Sequence, residues 1–134
     1  MELSSLNLSA AAEQGYTFNL VHPVTGEELD GTIKVRGDKS KVVQAFARSR
    51  IRAMQLREKV QKGKNKDTDL TIEELEDMAI ESAIVRIITW SNIKKDGEEI
   101  PFTKENAELV LREHDWIRQQ IQENAEDLSL FRLE

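Results

Sequence analysis

The residues able to do chemistry are few and poorly spaced for it. The 134-residue chain has no cysteine and two histidines, His22 and His114. Without cysteine there is no disulfide, no thiolate nucleophile and no cysteine-ligated zinc or iron–sulfur site. Neither histidine has a second one three or four residues away, the spacing with which a helix offers two imidazoles to zinc. His22 precedes Pro23 in a turn, and His114 stands between Glu113 and Asp115 near a helix start. Both read as structural or exposed. Gly26-Glu27-Glu28-Leu29-Asp30-Gly31-Thr32 has Walker-like glycine spacing but lacks the lysine that reaches the phosphates. Asp67-Thr68-Asp69-Leu70-Thr71 opens like a calcium loop. It then places Ile72 where glycine is needed and Met78 where the bidentate glutamate belongs. The carboxylates of Glu73, Glu74, Glu76 and Asp77 suit the positive end of a helix and do not require catalysis. With no nucleophile, metal set or positioned base, the expectation is a protein that is not an enzyme, with no catalytic residue, no metal and no cofactor.

Charge is a stronger signal than any motif. Residues 1–33 carry five acidic residues and no Lys or Arg. Residues 34–66 carry twelve basic and two acidic residues, a net of +10, and residues 67–134 carry seven basic and eighteen acidic ones, a net of −11. The overall charge of −6 therefore hides a basic middle between acidic flanks. Such asymmetry suits an acidic partner, self-association through opposite charges, or nucleic acid. The cations cluster on a Gly- and Pro-free segment, 41–62, as Arg48, Arg50, Arg52, Arg57 and Lys59. A solvated helix face is the plain reading of that segment. Few aromatics, acidic flanks and no recognition-helix or stacking motif argue against nucleic acid. No apolar run approaches the ~20 residues of a membrane span, and residues 1–12 lack the basic start of a signal peptide, so a soluble intracellular protein is expected.

The elements that must position these residues follow from periodicity. Residues 1–12 read as a loose arm with Leu3, Leu6 and Leu8 as apolar anchors. Tyr16, Phe18 and Leu20 alternate with polar residues, then His22-Pro23-Val24-Thr25-Gly26 turns the chain into a second alternating run around Ile33 and Val35. This is a β-hairpin, which needs something to lie on. Asp38 or Ser40 can cap the basic helix, and Lys62–Asp69 reads as a surface loop. Thr71 and Glu74 form a capping box for a helix running to about residue 90. Its second half is apolar on most sides, which makes it the candidate central helix. Thr103 caps a further helix with Ala107, Leu109, Val110 and Leu111 facing inward. Asp115 caps a last helix with Trp116, Ile117 and Ile121 inside. Trp90 and Trp116 read first as core residues. The fold class expected is α+β and mostly helical, with an N-terminal β-hairpin beside about four helices. A single domain spans 13–127, followed by an apolar tail, 128–134.

The stretch from Trp90 carries a resemblance. Trp90, a polar loop with Gly97, then Ile100-Pro101-Phe102-Thr103-Lys104-Glu105-Asn106-Ala107, Leu111, Trp116-Ile117 and Phe131 resemble the C-terminal half of the tail assembly chaperones of long-tailed, siphovirus-type phages and prophages. The aromatic strand, His22-Pro23-Val24-Thr25-Gly26, the second strand and the Gly37-Asp38 helix start are similar in layout to the N-terminal half. The likeness covers residues 16–131 and is densest over 90–117. The basic Arg48–Lys66 region has no counterpart in it. Trp90, Gly97, Pro101, Phe102, Thr103, Asn106 and Trp116 are the structural motif.

The resemblance implies a non-catalytic chaperone that binds the tape measure protein, keeps it soluble and helps recruit tail tube protein. It implies action in the host cytoplasm and absence from the mature virion. Two rivals stand beside it: a small nucleic-acid-binding regulator using the basic helix, and a tail completion or connector protein of the virion. The opposite charge blocks, if both face outward, predict head-to-tail homo-oligomers in which Arg48, Arg50, Arg52, Arg57 and Lys59 meet acidic surfaces. Leu130 and Phe131 of the tail would add apolar area to that contact.

Overall fold

A computed structural model of the chain describes residues 1–61 and 70–133. The fold is α+β and mostly helical, as its periodicities require. A 3-10 turn at Leu3–Leu6 precedes helix α1 (Leu8–Gln14), the hairpin β1 (Tyr16–Val21) and β2 (Glu28–Val35), and the long helix α2 (Lys41–Gln61). Helix α3 (Ile72–Arg86) runs straight into β3 (Ile87–Ser91). A small ribbon, β4 (Lys94–Lys95) and β5 (Glu98–Glu99), leads to α4 (Lys104–Glu113), α5 (Asp115–Glu126) and a 3-10 turn at Leu128–Leu130. The surface loop assigned to Lys62–Asp69, including the calcium-like Asp67 and Asp69, lies outside the described residues.

The hairpin turns on His22, whose Nδ1 accepts the amides of Val24 and Thr25 at 3.1 and 3.2 Å. Gly26 completes the turn at φ 76°, a conformation that glycine enters without a Cβ penalty. His22 is thus spent on the turn. Strand β2 is central, pairing antiparallel with β1 and β3. Phe18 and Leu20 of β1 and Ile33 and Val35 of β2 are buried on the sheet face that the helices cover.

The helix expected to reach residue 90 stops at Arg86. Ile87-Ile88-Thr89-Trp90 is β-branched and aromatic, and the open edge of β2 offers its backbone a ladder, with Ile33 opposite Trp90. The long apolar run is therefore half helix and half strand. Thr71 does cap α3, its Oγ1 accepting the Glu74 amide at 3.1 Å. Ile80 and Ala83 enter the core, and α3 touches α2, α4 and α5.

Both chain ends depart from expectation. Residues 8–12 of the supposed loose arm are helical, as part of α1: Asn7 Oδ1 caps it by accepting the Ala10 amide at 3.0 Å. Its anchors are Ala11 and Ala12, both buried, while Leu3, Leu6 and Leu8 stay exposed. Small side chains win because the site is shallow: the Gly37 amide donates to the Ala12 carbonyl at 2.9 Å. At the other end Phe131 is buried and meets Tyr16 edge-on at 6.3 Å. Phe131 is core and not a surface contact residue, while Leu128 and Leu133 of the tail stay exposed.

Helix α4 buries Ala107, Val110 and Leu111 but leaves Leu109 exposed, because Leu109 is the one member of the set off the inner stripe. Helix α5 buries Ile117, Ile121 and Ala125. Asp115 is its first residue and makes no cap; His114 holds the cap position without a side-chain bond.

Candidate partner-binding surfaces

The motif residues from Trp90 to Asn106 form a clasp. Trp90 is buried on β3, and its Nε1–H donates to the Ile100 carbonyl at 2.8 Å. The Ile100 amide donates back to the Ile93 carbonyl at 2.7 Å, closing the ribbon. Asp96 and Gly97 turn that ribbon at φ 53° and 81°, the left-handed pair that a two-residue hairpin requires. Phe102 then lies edge-on to Trp90 at 5.1 Å. Thr103 Oγ1 accepts the Asn106 amide at 3.1 Å, and Asn106 Nδ2–H donates to the Pro101 carbonyl at 2.9 Å. Trp90, Gly97, Pro101, Phe102, Thr103 and Asn106 therefore hold β3, the ribbon and α4 in one arrangement. Their work is positional.

What the clasp positions is a groove. Leu20, Leu29 and Gly31 of the hairpin, Ile93 and Ile100 of the ribbon and Val110, Trp116 and Ile117 of the helices line a cleft of about 600 Å³. Its rim is polar: Asp30, Lys94, Lys95, Glu113 and His114. Lys95 Nζ lies 3.8 Å from Glu113 Oε2, so the rim is partly cross-linked. Gly31 keeps the floor low, since a Cβ there would meet Ile93 Cδ1 at 3.0 Å. A second cleft, of about 460 Å³, continues past Ile100 and Val110 along Pro101 and Leu109. Trp116 forms a wall common to the main cleft and a third, also about 460 Å³, that runs beneath His22 and Pro23. Gln120 fixes that end by a two-way bond to the backbone of Val21, at 2.9 and 2.7 Å. The main cleft shares a wall with each of the other two, so together they suit an extended, partly apolar segment better than a small compact ligand. Periodicity read Trp116 and Ile117 as inner residues. The groove itself is created by the β2–β3 pairing, which no local pattern announces.

The basic helix resolves into two sides. Arg50 Nη2 binds Glu81 Oε2 of α3 at 2.7 Å, and Arg57 Nη1 binds Glu74 Oε2 at 2.8 Å. Hydrogen bonding to Arg57 holds the Glu74 carboxyl below its ordinary range. The +10 and −11 blocks thus meet partly inside one molecule, and the expectation that both face outward fails for these two arginines. The physical reason is that α2 and α3 are neighbours whose facing sides carry arginine and glutamate in register. Arg48, Arg52 and Lys59 point away and are exposed, with no ion pair among the described residues. Leu130 is half-buried against the core. The acidic face of α3 is also engaged on its other flank, where Arg112 reaches Asp77 at 2.9 Å and Glu76 at 3.4 Å. The bond to Asp77 raises the Arg112 pKa further.

Among the described residues no cluster of His, Asp and Glu has the shape of a metal site, and no helix is long and apolar enough to cross a membrane. No curated protein and no solved structure matches the chain. A family model does: the one described as YdaY prophage protein matches residues 38–134, from the start of α2 through the clasp, the groove helices and the tail. That match spans well over half of the sequence, and the chain belongs to the YdaY prophage protein family.

Proposed function

We propose that this prophage protein is a non-catalytic tail assembly chaperone, which holds an extended apolar segment of the tape measure protein in the groove around Trp116 and presents it to tail tube protein. The observation that carries the reading is the groove: its main cleft is mostly apolar with a polar rim, its two extensions are mixed, and it is built by the Trp90–Asn106 clasp on which the resemblance to tail chaperones is densest. Membership of a prophage family agrees with a role in phage morphogenesis. On this reading the protein works in the host cytoplasm and is left out of the finished particle.

The test is co-expression with a cognate tape measure protein. The intact chaperone should raise that protein's soluble yield, and a groove disrupted by Gly31→Val, which fills its floor, together with Trp116→Ala, which removes its wall, should not. Equal yield with and without the chaperone overturns the proposal. Mass spectrometry of purified particles separates it from the virion-component rival, which requires the protein in stoichiometric amounts. The nucleic-acid rival is weakened by the two arginines spent on Glu81 and Glu74.

A further inference from the structure

Helix α2 has an apolar face that the fold does not use. Val42, Ala45, Ser49, Ala53, Leu56 and Val60 follow one another at intervals of three, four, four, three and four. At about 100° per residue this is one straight stripe along the helix. Every member is exposed, the large ones strongly: Val42 47%, Leu56 63% and Val60 59%. The stripe is distinct from the side that meets α3, where Val43 is buried and Arg50 and Arg57 make their ion pairs. Along its other margin, at four- and seven-residue intervals, stand Arg48, Arg52 and Lys59.

An apolar stripe with a charged row beside it is the pattern by which one helix selects another. The sign of the row selects the partner. A second copy offering its own α2 would set Arg48 and Arg52 against the same cations, a like-charge contact that is unfavourable. A nucleic-acid backbone would satisfy the cations but leave Val42, Leu56 and Val60 in water. We propose that α2 is a docking helix for an amphipathic helix of a partner protein whose apolar stripe is bordered by Asp or Glu. This surface is separate from the groove around Trp116, and the inference does not depend on the groove being used.

The probe is a designed helical peptide as long as α2, with a leucine stripe bordered by glutamates, and a counterpart with lysines in their place. Titrated against the full chain, the glutamate peptide should bind roughly tenfold or more tightly than the lysine peptide, and weaken as salt rises. Leu56→Asn with Val60→Asn should abolish binding without altering the fold, since both side chains are exposed. Arg48→Glu with Arg52→Glu should reverse the preference between the peptides. Trp116→Ala should leave binding intact, which keeps a failure here distinct from a failure of the groove reading. Equal binding of the two peptides, or none, overturns the inference. So does a short DNA duplex that binds through Arg48 and Arg52 with no effect of the Leu56 and Val60 changes. A homodimer in sedimentation that Leu56→Asn dissociates overturns it as well, in favour of a second copy.

Discussion

The ring of Phe131 lies so close over Gly37 that a Cβ on the glycine would stand 3.2 Å from its Cδ2 and Cε2 atoms. The same Cβ would meet that of Ala12 at 2.9 Å. Gly37 is therefore the point where α1, the end of the sheet and the C-terminal tail converge. Gly37→Ala should destabilise the fold by about 1–3 kcal/mol through overpacking, because neither a ring nor a methyl group can swing aside. Urea unfolding followed by circular dichroism measures it. An unchanged midpoint would mean that the two termini yield freely and are not tightly seated.

Removing the ring from the other side of this contact should cost more. Phe131 is 6% exposed and meets Tyr16 edge-on. Phe131→Ala leaves a cavity and should cost about 3–5 kcal/mol. A chain ending at Asp127 should lose as much or more. Retention of native stability by that shortened chain would show the tail to be an appendage after all.

What the sequence revealed and what it concealed divide along the range of the forces involved. The hairpin, the Thr71 and Thr103 caps and the inner stripe of α5 are written locally, in period-two alternation, in Thr71-x-x-Glu74 and Thr103-x-x-Asn106, and in Ile117/Ile121 spacing. The end of α3 is not, because Ile87-Ile88-Thr89-Trp90 becomes a strand only when the edge of β2 is present. The burial of Phe131 and of Ala12 is hidden for the same reason: both pack on Gly37, which lies nearly a hundred residues from the tail. Charge runs were legible, but their facing was not. Arg50 and Arg57 turn inward to α3 while Arg48 and Arg52 do not, and only the interhelical packing separates them.

That division makes a prediction about α2. Arg50→Glu would place a carboxylate opposite Glu81 and should loosen α2 from α3, lowering stability by about 1 kcal/mol once the lost pair and the new repulsion are combined. Arg48→Glu, which faces solvent, should change stability by no more than about 0.5 kcal/mol. Thermal melts of the two variants at low salt make the comparison. Equal effects would mean that the Arg50–Glu81 bond does not persist in solution.

Acid should act on the neighbouring pair. The Arg57 guanidinium holds the Glu74 carboxyl below its ordinary range. The folded value is thus lower than the unfolded one. The stabilisation is complete above the unfolded value and is lost as pH falls through the depressed folded value. Glu74→Gln should therefore lower the melting temperature at neutral pH, and the gap from the parent should close below the ordinary glutamate range. A gap independent of pH would assign the effect to the helix cap and not to the ion pair.

The last prediction separates the clasp from the core. Trp90 contributes both a buried ring and the Nε1–H bond that holds Ile100, and Ile100 lines the groove. Trp90→Phe keeps an aromatic ring but removes the donor and the outer part of the indole, so its cost should be about 1–3 kcal/mol. The loss should be local. The β5 end and Ile100 should open more readily, since the Ile100 carbonyl then depends on water while its amide still binds Ile93. Trp90→Ala removes the packing with Phe102 as well and should cost about 3–5 kcal/mol, spread over the whole fold. Amide exchange distinguishes the two. In Trp90→Phe the amides of residues 98–100 should lose protection while those of Ile33 and Leu111 keep it. Uniform loss of protection in Trp90→Phe would mean that the indole bond supports the core at large and that the clasp is not a separate device for shaping the groove.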